Sequence, residues 1–214
     1  MRLHREILNQ EQEQILDQLE FISATSLYLG GGTALALQVG HRTSVDFDFY
    51  ISQKFDVVKM KRMFMNGLPG ARLLGESSDG TLRVAVENTE VSVFYYPYPL
   101  IDRLVNFPPV KLASLKDIAA AKVAAVVQRA RQRDFVDIYY LAKELGFTEV
   151  VKSAYKKFPW YEENSGIVIK SLGYFEEADR DAEANRVKLF DQKVTWQVVK
   201  SHILQELQKW PKTD

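Results

Sequence analysis

Residues 27–50 read LYLGGGTALALQVGHRTSVDFDFY and contain the most informative pattern of this chain. A short apolar strand at 27–29 ends at three glycines, which permit positive φ and let other groups approach the backbone closely. Thr33 is placed to cap a small helix over 34–39, whose free N–H groups suit a phosphate. The pattern therefore predicts a strand, a glycine turn and a helix N-terminus that faces an anion.

The second strand of this stretch, predicted over 45–51, alternates aspartate with apolar residues. Asp46 and Asp48 are two positions apart, so both carboxylates project from one face while the apolar side chains enter the core. Paired carboxylates suit Mg²⁺, which prefers oxygen ligands and binds phosphates alongside them. Taken singly, a glycine turn is often only a turn, and this alternation is typical of a half-solvated strand. Together they favour function, because aspartate is a poor strand former.

This stretch resembles the AbiEii/AbiGii toxin family of nucleotidyltransferase-like proteins through residues 31–35 (GGTAL) and 41–49 (HRTSVDFDF). The family is similar in fold to the polymerase β-type nucleotidyltransferases, whose signature is a Gly-Ser or Gly-Gly turn followed by Asp-x-Asp. The resemblance implies an α/β (α+β) fold: a polymerase β-type mixed sheet with flanking helices, followed by a mainly helical C-terminal domain. It also implies a Mg²⁺ ion held by Asp46 and Asp48.

The resemblance further implies a set of nucleotide contacts around the glycine turn. The residues expected to bind the nucleotide are Gly31, Gly32, Thr33, Arg42, Ser44 and Lys122. Ser44 is expected near the phosphates, in the loop that enters the metal strand. His41 lies in the same loop and is expected to form hydrogen bonds rather than bind metal, since no second His or Cys accompanies it.

A second element downstream carries the same resemblance. An alanine-rich helix contains Lys122 and leads, through the arginine-rich segment 128–133, into the sequence DFVDIY at 134–139. The family has a lysine in such a helix, followed by an (R)-D-x-x-D-hydrophobic-Y element. On that resemblance Lys122 and Asp137 join Asp46 as the catalytic set. Lys122 is expected to steady the triphosphate, and Asp137 to orient or deprotonate the acceptor.

The charged residues of this second element also have structural interpretations. Lys122 lies among apolar residues, where its charge is costly unless it meets a carboxylate or phosphate, yet lysines also snorkel from apolar helices. Asp134 is assigned to capping its helix rather than to catalysis. For Arg129, Arg131 and Arg133, exposed charge and contact with phosphate or RNA backbone both remain open.

The third carboxylate is where the sequence departs from polymerase β-type enzymes, which usually place another acid on a neighbouring strand to complete a two-metal site. The strand predicted over 90–94 has Ser92 where that aspartate is expected. Three alternatives stay open: Glu90 substitutes, one metal suffices, or Asp137 supplies the acid. Ser92 also supports a different function, that of a binding protein that keeps the fold without turnover.

Elsewhere the predictions rest on hydrophobic periodicity and turn signals. Helices are predicted over 4–23, 56–66, 114–131, 134–145, 148–157 and 195–209, and strands over 71–77, 81–87 and 90–96. The last two strands are predicted to form a hairpin around residues 88–89. A connector over 97–109 separates an α/β domain, 1–105, from a helical domain, 106–214. Periodicity does not decide the segment 160–193, where a strand at 167–169 is one interpretation.

Composition excludes several classes of protein. Of 214 residues, 46% are hydrophobic and 12% aromatic, which argues against disorder. Lys+Arg and Asp+Glu both number 28, so a nucleic-acid surface must be a local patch. The acidic cluster at 176–183 is typical of a solvated face or of contact with a basic partner. The absence of cysteine excludes disulfides and thiolate sites and fits the cytosol. Neither a secretory leader nor an apolar run of membrane-spanning length is evident, so the predicted location is cytoplasmic.

The function implied by the resemblance is Mg²⁺-dependent transfer of a nucleoside monophosphate from an NTP to an acceptor hydroxyl. The family implies a toxin of a toxin–antitoxin or abortive-infection pair, with RNA, and tRNA among RNAs, as acceptor and a cognate antitoxin as partner. The alternative is a catalytically inactive binding protein of the same fold. Transfer to an antibiotic shares the motif, but nothing in the sequence indicates a sugar-binding site. Asp46, Asp48, Lys122 and Asp137 are expected to converge on one cleft.

Overall fold

The computed structural model describes residues 2–211 and divides the chain into two compact units. Unit 1 comprises Met1–Pro99 with Arg103–Ala113, and unit 2 comprises Leu100–Asp102 with Ser114–Asp214. Unit 1 contains a seven-stranded sheet with helices, whereas the described part of unit 2 is mainly helical. The predicted fold class, a mixed sheet with flanking helices followed by a mainly helical region, is confirmed.

The sheet of unit 1 mixes parallel and antiparallel strands in the order β3-β4-β5-β2-β1-β7-β6. The strands are β1 (Tyr28–Leu29), β2 (Phe47–Ile51), β3 (Arg72–Ser77), β4 (Thr81–Val86), β5 (Thr89–Tyr95), β6 (Val105–Phe107) and β7 (Val110–Leu112). At its centre β2 pairs parallel to β5 and antiparallel to β1. Phe47 and Phe49 of β2, with Val91 and Val93 of β5, are fully buried. The alternate residues of both strands therefore form the opposite face of the sheet.

The helices of unit 1 are α1 (Gln10–Gln18), α2 (Gly31–Val39) and α3 (Val57–Gly67). The single helix predicted over 4–23 is wrong, because 3₁₀ turns at Arg5–Ile7 and Leu19–Ile22 flank α1. The side chain of Asn9 accepts the N–H of Gln12, and the Gln12 side chain accepts the N–H of Asn9. This reciprocal capping box fixes the start of α1 inside the predicted helix.

Two connections of unit 1 also differ from the predictions. The connector predicted over 97–109 contains β6, and β7 begins directly after it; both strands have only three residues, too few for a periodic signal. β7 extends the sheet, since Leu112 pairs with Leu29 of β1. The hairpin of β4 and β5 turns at Glu87 and Asn88 rather than at residues 88–89, because Val86 pairs with Thr89.

Unit 2 is a cluster of helices packed around α4. Its helices are α4 (Leu115–Gln128), α5 (Gln132–Leu145), α6 (Phe147–Lys157), α7 (Pro159–Glu163), α8 (Ser165–Leu172), α9 (Glu176–Asp179) and α10 (Trp196–Gln208), with a 3₁₀ turn at Ala184–Arg186. α4 contacts α5, α6 and α8, and α10 contacts α5. The interpretation of residues 167–169 as a strand is wrong, because these residues lie in α8, where Val168 is fully buried.

A buried ion pair anchors the start of α4. Lys157 Nζ lies 2.7 Å from Asp117 Oδ1, and the two side chains are 1% and 3% exposed. The same carboxylate accepts the backbone N–H groups of Ile101, at 2.9 Å, and Asp102, at 3.3 Å. The Ser114 hydroxyl, which caps α4 as predicted, also donates to it. Asp117 thus binds the separate segment Leu100–Asp102 to the helical core of unit 2.

Replacing Lys157 with methionine is expected to lower the free energy of unfolding by about 3–5 kcal/mol, because Asp117 is left as a buried charge without its cation. Lys116→Met is the matched control, since Lys116 pairs with Glu149 on the surface and should contribute less than about 1 kcal/mol. Urea unfolding followed by tryptophan fluorescence reports on unit 2, which holds every tryptophan of the chain. Equal stability of the two variants would contradict the role of the buried pair.

Candidate active site

The glycine turn is in close contact with two charged side chains. Gly31 has a φ of +63°, and a Cβ atom there would lie 2.7 Å from Asp48 Oδ2. A Cβ atom on Gly32 would lie 2.3 Å from Nη2 of Arg42. Any side chain at these two positions would therefore displace either the carboxylate or the guanidinium. Because Gly31 is also the first residue of α2, the Asp48 carboxylate lies at the positive end of a helix, which stabilises the anion.

Thr33 connects α2 to the loop that precedes β2. The predicted helix start after Thr33 is wrong: α2 begins at Gly31, with Gly30 as its N-cap, and Thr33 is buried inside the helix. The Thr33 hydroxyl forms a 2.7 Å hydrogen bond with the Ser44 hydroxyl and donates to the carbonyl oxygen of Asp46. These bonds position the backbone that carries Asp46. Nucleotide contacts of Thr33 and Ser44 stay a prediction.

Asp46 and Asp48 lie at the start of β2. The strand spans Phe47–Ile51, so Asp46 immediately precedes it and the predicted start at residue 45 is two residues early. Phe47 and Phe49 point into the core, whereas both aspartates are partly exposed. The alternation predicted from the sequence thus holds for Asp48, and the loop before the strand carries Asp46.

Arg42 is packed behind the glycine turn. Its side chain is among the largest fully buried ones of the described chain, and its Nη1 donates to the Thr43 carbonyl at 2.8 Å. The neighbouring His41 is also buried. With its guanidinium against Gly32, Arg42 adds positive charge directly behind the N-terminus of α2. Its predicted contact with the nucleotide stays a prediction.

The strands beside Asp48 carry a serine, a glutamate and an arginine. Asp48 pairs with Ser92 of β5, and Ser92 pairs with Arg83 of β4. Arg83 donates to Glu90 through Nε, at 2.5 Å, and through Nη2, at 2.9 Å, while the Ser92 hydroxyl donates to the same carboxylate at 2.8 Å. Ser92 therefore lies next to Asp48, and Glu90 is bound to Arg83.

Sequence reasoning missed Arg83, because only the strand register places it near the aspartates. The pKa of its guanidinium is raised above the usual value, first by the hydrogen bond to Glu90 and next by the charge of Glu90. The charges of Asp46 and Asp48 raise this pKa further. Arg83 is thus electrostatically coupled to both predicted metal ligands.

In unit 2, Lys122 and Asp137, which the sequence predicted as site residues, form an ion pair. Lys122 Nζ lies 2.7 Å from Asp134 Oδ1 and 2.8 Å from Asp137 Oδ2, and all three side chains are at most 10% exposed. The assignment of Asp134 to helix capping is wrong, since α5 has Arg131 at its N-cap and no side-chain capping bond. The spacing of Asp134 and Asp137 along α5, three residues, places both on one helix face, a signal that could have identified the pair.

The arginine-rich turn between α4 and α5 contacts the acidic cluster at 176–183. Arg131 Nη1 lies 2.5 Å from Glu183 Oε2, and Arg133 Nη1 lies 3.6 Å from the same oxygen. Asp181 accepts a backbone N–H at the start of α5, at 3.0 Å. The basic partner considered for this cluster is therefore a segment of unit 2 itself.

A profile described as "Nucleotidyl transferase AbiEii toxin, Type IV TA system" matches residues 14–68 and 76–213. The chain belongs to the AbiEii nucleotidyltransferase toxin family. An uncharacterized protein of Aquifex aeolicus (strain VF5) is 34% identical over 181 residues, which cover 80% of this chain and 84% of that protein. The family resemblance predicted from the sequence is confirmed.

Two solved structures share the fold of this AbiEii-family chain. JHP933 from Helicobacter pylori superposes with a TM-score of 0.58 at 17% identity, covering 97% of this chain and 94% of that one. MenT4, a nucleotidyltransferase toxin of Mycobacterium tuberculosis H37Rv, gives a TM-score of 0.58 at 16% identity, covering 93% and 83%. At these identities the likeness establishes the fold, which is the predicted one.

Family membership makes this chain a nucleotidyltransferase, and both predicted motifs lie within the matched residues. Asp46 and Asp48 belong to the first matched segment, and Lys122 and Asp137 to the second. The prediction that these four residues converge on one cleft stays a prediction. No helix in the described residues, 2–211, is long and apolar enough to cross a membrane.

Gly31→Ala is expected to weaken NTP binding in the presence of Mg²⁺ at least about tenfold, because the new methyl group displaces the Asp48 carboxylate. The positive φ adds a backbone strain of about 1–2 kcal/mol. Gly70→Ala is the control, since Gly70 also has a positive φ, of +80°, but nothing within 4 Å of its Cβ position. Thermal unfolding should therefore change similarly in both variants, while calorimetric titration with Mg²⁺–NTP separates them. Equal NTP affinity in the two variants would show that the Asp48 contact is dispensable.

Proposed function

We propose that this AbiEii-family nucleotidyltransferase moves a nucleoside monophosphate from an NTP to a hydroxyl of RNA, using Mg²⁺, and acts as the toxin of a toxin–antitoxin pair. The observation that carries the proposal is the Asp48 carboxylate in contact with Gly31, the first residue of α2. This contact puts a metal-ligand type of side chain beside backbone N–H groups that suit phosphate. A triphosphate and its Mg²⁺ ion can be bound together at such a position.

Asp46 and Asp48 fit a Mg²⁺ site. No cluster of three or more His, Cys, Asp or Glu side chains suited to a metal occurs among residues 2–211. Mg²⁺ is nevertheless commonly bound by one or two carboxylates together with the phosphates of the substrate. When bound, the ion would supply charge neutralisation on the triphosphate.

The proposed reaction is an in-line displacement at the α-phosphorus. The acceptor oxygen forms a bond to that phosphorus, the bond to the bridging oxygen of the β-phosphate breaks, and pyrophosphate leaves. Lys122 serves as a point charge for the triphosphate, and Asp137 orients the acceptor hydroxyl or accepts its proton. Catalysis then rests mainly on positioning and on preorganised charge.

The ion pairs of Lys122 support its proposed role in the reaction. The ammonium of Lys122 is held between two carboxylates, so it is oriented before any nucleotide arrives. Family membership supports the toxin role and a cognate antitoxin as partner. RNA, including tRNA, is the proposed acceptor, and the cytosol, where NTPs and RNA are abundant, is the proposed location.

The test is incubation of the full chain with total RNA, Mg²⁺ and each NTP in turn, labelled at the α-phosphate. We expect label to enter RNA with at least one NTP and EDTA to stop the transfer. If no NTP labels RNA although Mg²⁺–NTP binds, the alternative of an inactive binding protein, which Ser92 favours, replaces the proposal. Where label enters RNA, nuclease digestion of the labelled RNA would identify the RNA class and the modified end.

A further inference from the structure

Three neighbouring strands present Asp48, Ser92 and Arg83 side by side on one face of the sheet. Asp48 pairs with Ser92 across β2 and β5, and Ser92 pairs with Arg83 across β5 and β4. Neighbouring strands lie about 4.8 Å apart, so Arg83 is two strand spacings from Asp48. An arginine side chain covers most of that distance. In this row a cation thus lies just beyond the position that would carry a third metal-binding acid.

Neither Ser92 nor Glu90 is available as that acid. Ser92 is nearly inaccessible and its hydroxyl donates to Glu90. Glu90 is held by Arg83 through two hydrogen bonds, a geometry typical of strong arginine–carboxylate pairs. The third alternative, Asp137, has its carboxylate 2.8 Å from Lys122 Nζ. Each acid that the sequence offered as the third ligand is therefore engaged by a cation of its own.

The charges on this face favour one divalent ion. Glu90 is paired with Arg83, so Asp46 and Asp48 are the two carboxylates assigned to the metal. One or two carboxylates, together with the phosphates of the substrate, commonly hold a single Mg²⁺. A second ion beside Ser92 would lack a carboxylate ligand and would be repelled by the nearby guanidinium.

We propose that this site works with a single divalent ion on Asp46 and Asp48, and that Arg83, oriented by Glu90 and Ser92, provides the second positive charge for the triphosphate. The inference rests on the proposed function, because it assumes that Asp46 and Asp48 hold the metal of an NTP-dependent transfer. Arginine suits this role, since its planar group binds phosphate oxygens in a fixed geometry.

The experiment counts bound ions. The full chain is saturated with α,β-methylene analogues of the NTPs, which bind without being transferred, and titrated with Mn²⁺, whose free and bound forms are separated by electron paramagnetic resonance. We expect one Mn²⁺ per protein–nucleotide complex. A count of two overturns the inference while leaving nucleotidyl transfer untouched, and a count of zero overturns it together with the metal assignment. Failure of RNA labelling would reject the proposed function without altering the count.

Variants test whether Arg83 provides the second positive charge for the triphosphate. Arg83→Gln should weaken binding of the Mn²⁺–nucleotide complex about tenfold or more, because a charged hydrogen bond to phosphate is lost. Arg62→Gln, an exposed arginine of α3, is the control for the change in net charge. The double variant Arg83→Gln with Ser92→Asp restores an acid and removes the cation, so its count should rise to two. Unchanged nucleotide affinity in Arg83→Gln, or a count of one in the double variant, would reject the role of Arg83.

Discussion

Asp46→Asn is expected to reduce nucleotidyl transfer to RNA by at least about a thousandfold. It should also relieve the growth arrest that we expect from expression of the wild-type chain. Asparagine is nearly isosteric, and the backbone carbonyl of Asp46 keeps its hydrogen bond to Thr33, so the fold should be retained. The charge that binds Mg²⁺ is lost, and with it several kcal/mol of transition-state stabilisation, at about 1.4 kcal/mol per tenfold in rate. RNA labelling and growth curves measure the two effects.

The control for Asp46→Asn is Asp17→Asn, which makes the same chemical change in an exposed ion pair with Arg5. It should leave labelling and toxicity at the wild-type level. Equal toxicity of the wild type and Asp46→Asn, at matched soluble levels, would reject catalysis as the cause of growth arrest. Growth arrest would then be explained by binding rather than by transfer, because Asp46→Asn leaves the surface of the protein almost unaltered.

Lys122→Met should strongly destabilise unit 2 and should also reduce transfer. It leaves Asp134 and Asp137 as neighbouring buried carboxylates without their cation, so the free energy of unfolding should fall by about 3–5 kcal/mol. Loss of a charged contact to the triphosphate should slow transfer roughly a hundredfold. Urea unfolding and RNA labelling per folded molecule measure these two effects separately.

Two further variants distinguish a structural from a functional Lys122. Lys152→Met removes an exposed lysine of α6 and should change stability by no more than about 0.5 kcal/mol. Asp134→Asn keeps the pair of Lys122 with Asp137 and should cost less stability than Lys122→Met. Normal transfer by folded Lys122→Met would restrict this lysine to a structural role. If Lys122→Met is as stable as the wild type, the buried carboxylates of Asp134 and Asp137 do not need Lys122 for their stability.

Local rules of the chain predicted the elements around the site. The alternation of aspartate and phenylalanine identifies the faces of β2, because side chains of a strand alternate by geometry alone. Ser114 marked the start of α4 because a capping hydrogen bond spans three residues. Two local signals compete at the start of α2, the glycine turn and the capping hydroxyl of Thr33. The prediction started the helix after Thr33, but α2 begins at Gly31, and the Thr33 hydroxyl bonds to Ser44 in the following loop instead.

The sequence by itself determined the family, the mixed sheet followed by helices, and the residue types of both motifs, since these depend on local spacing and on short segments of matching sequence. Only the tertiary structure decided which charges meet. Asp134 belongs with Lys122 because α5 packs against α4, and Arg83 lies near Asp48 because strand register puts β4 and β5 beside β2. Strand order and helix packing are set by burial of apolar surface over the whole unit. A polar side chain takes its partner from that packing, so no local pattern can name the partner in advance.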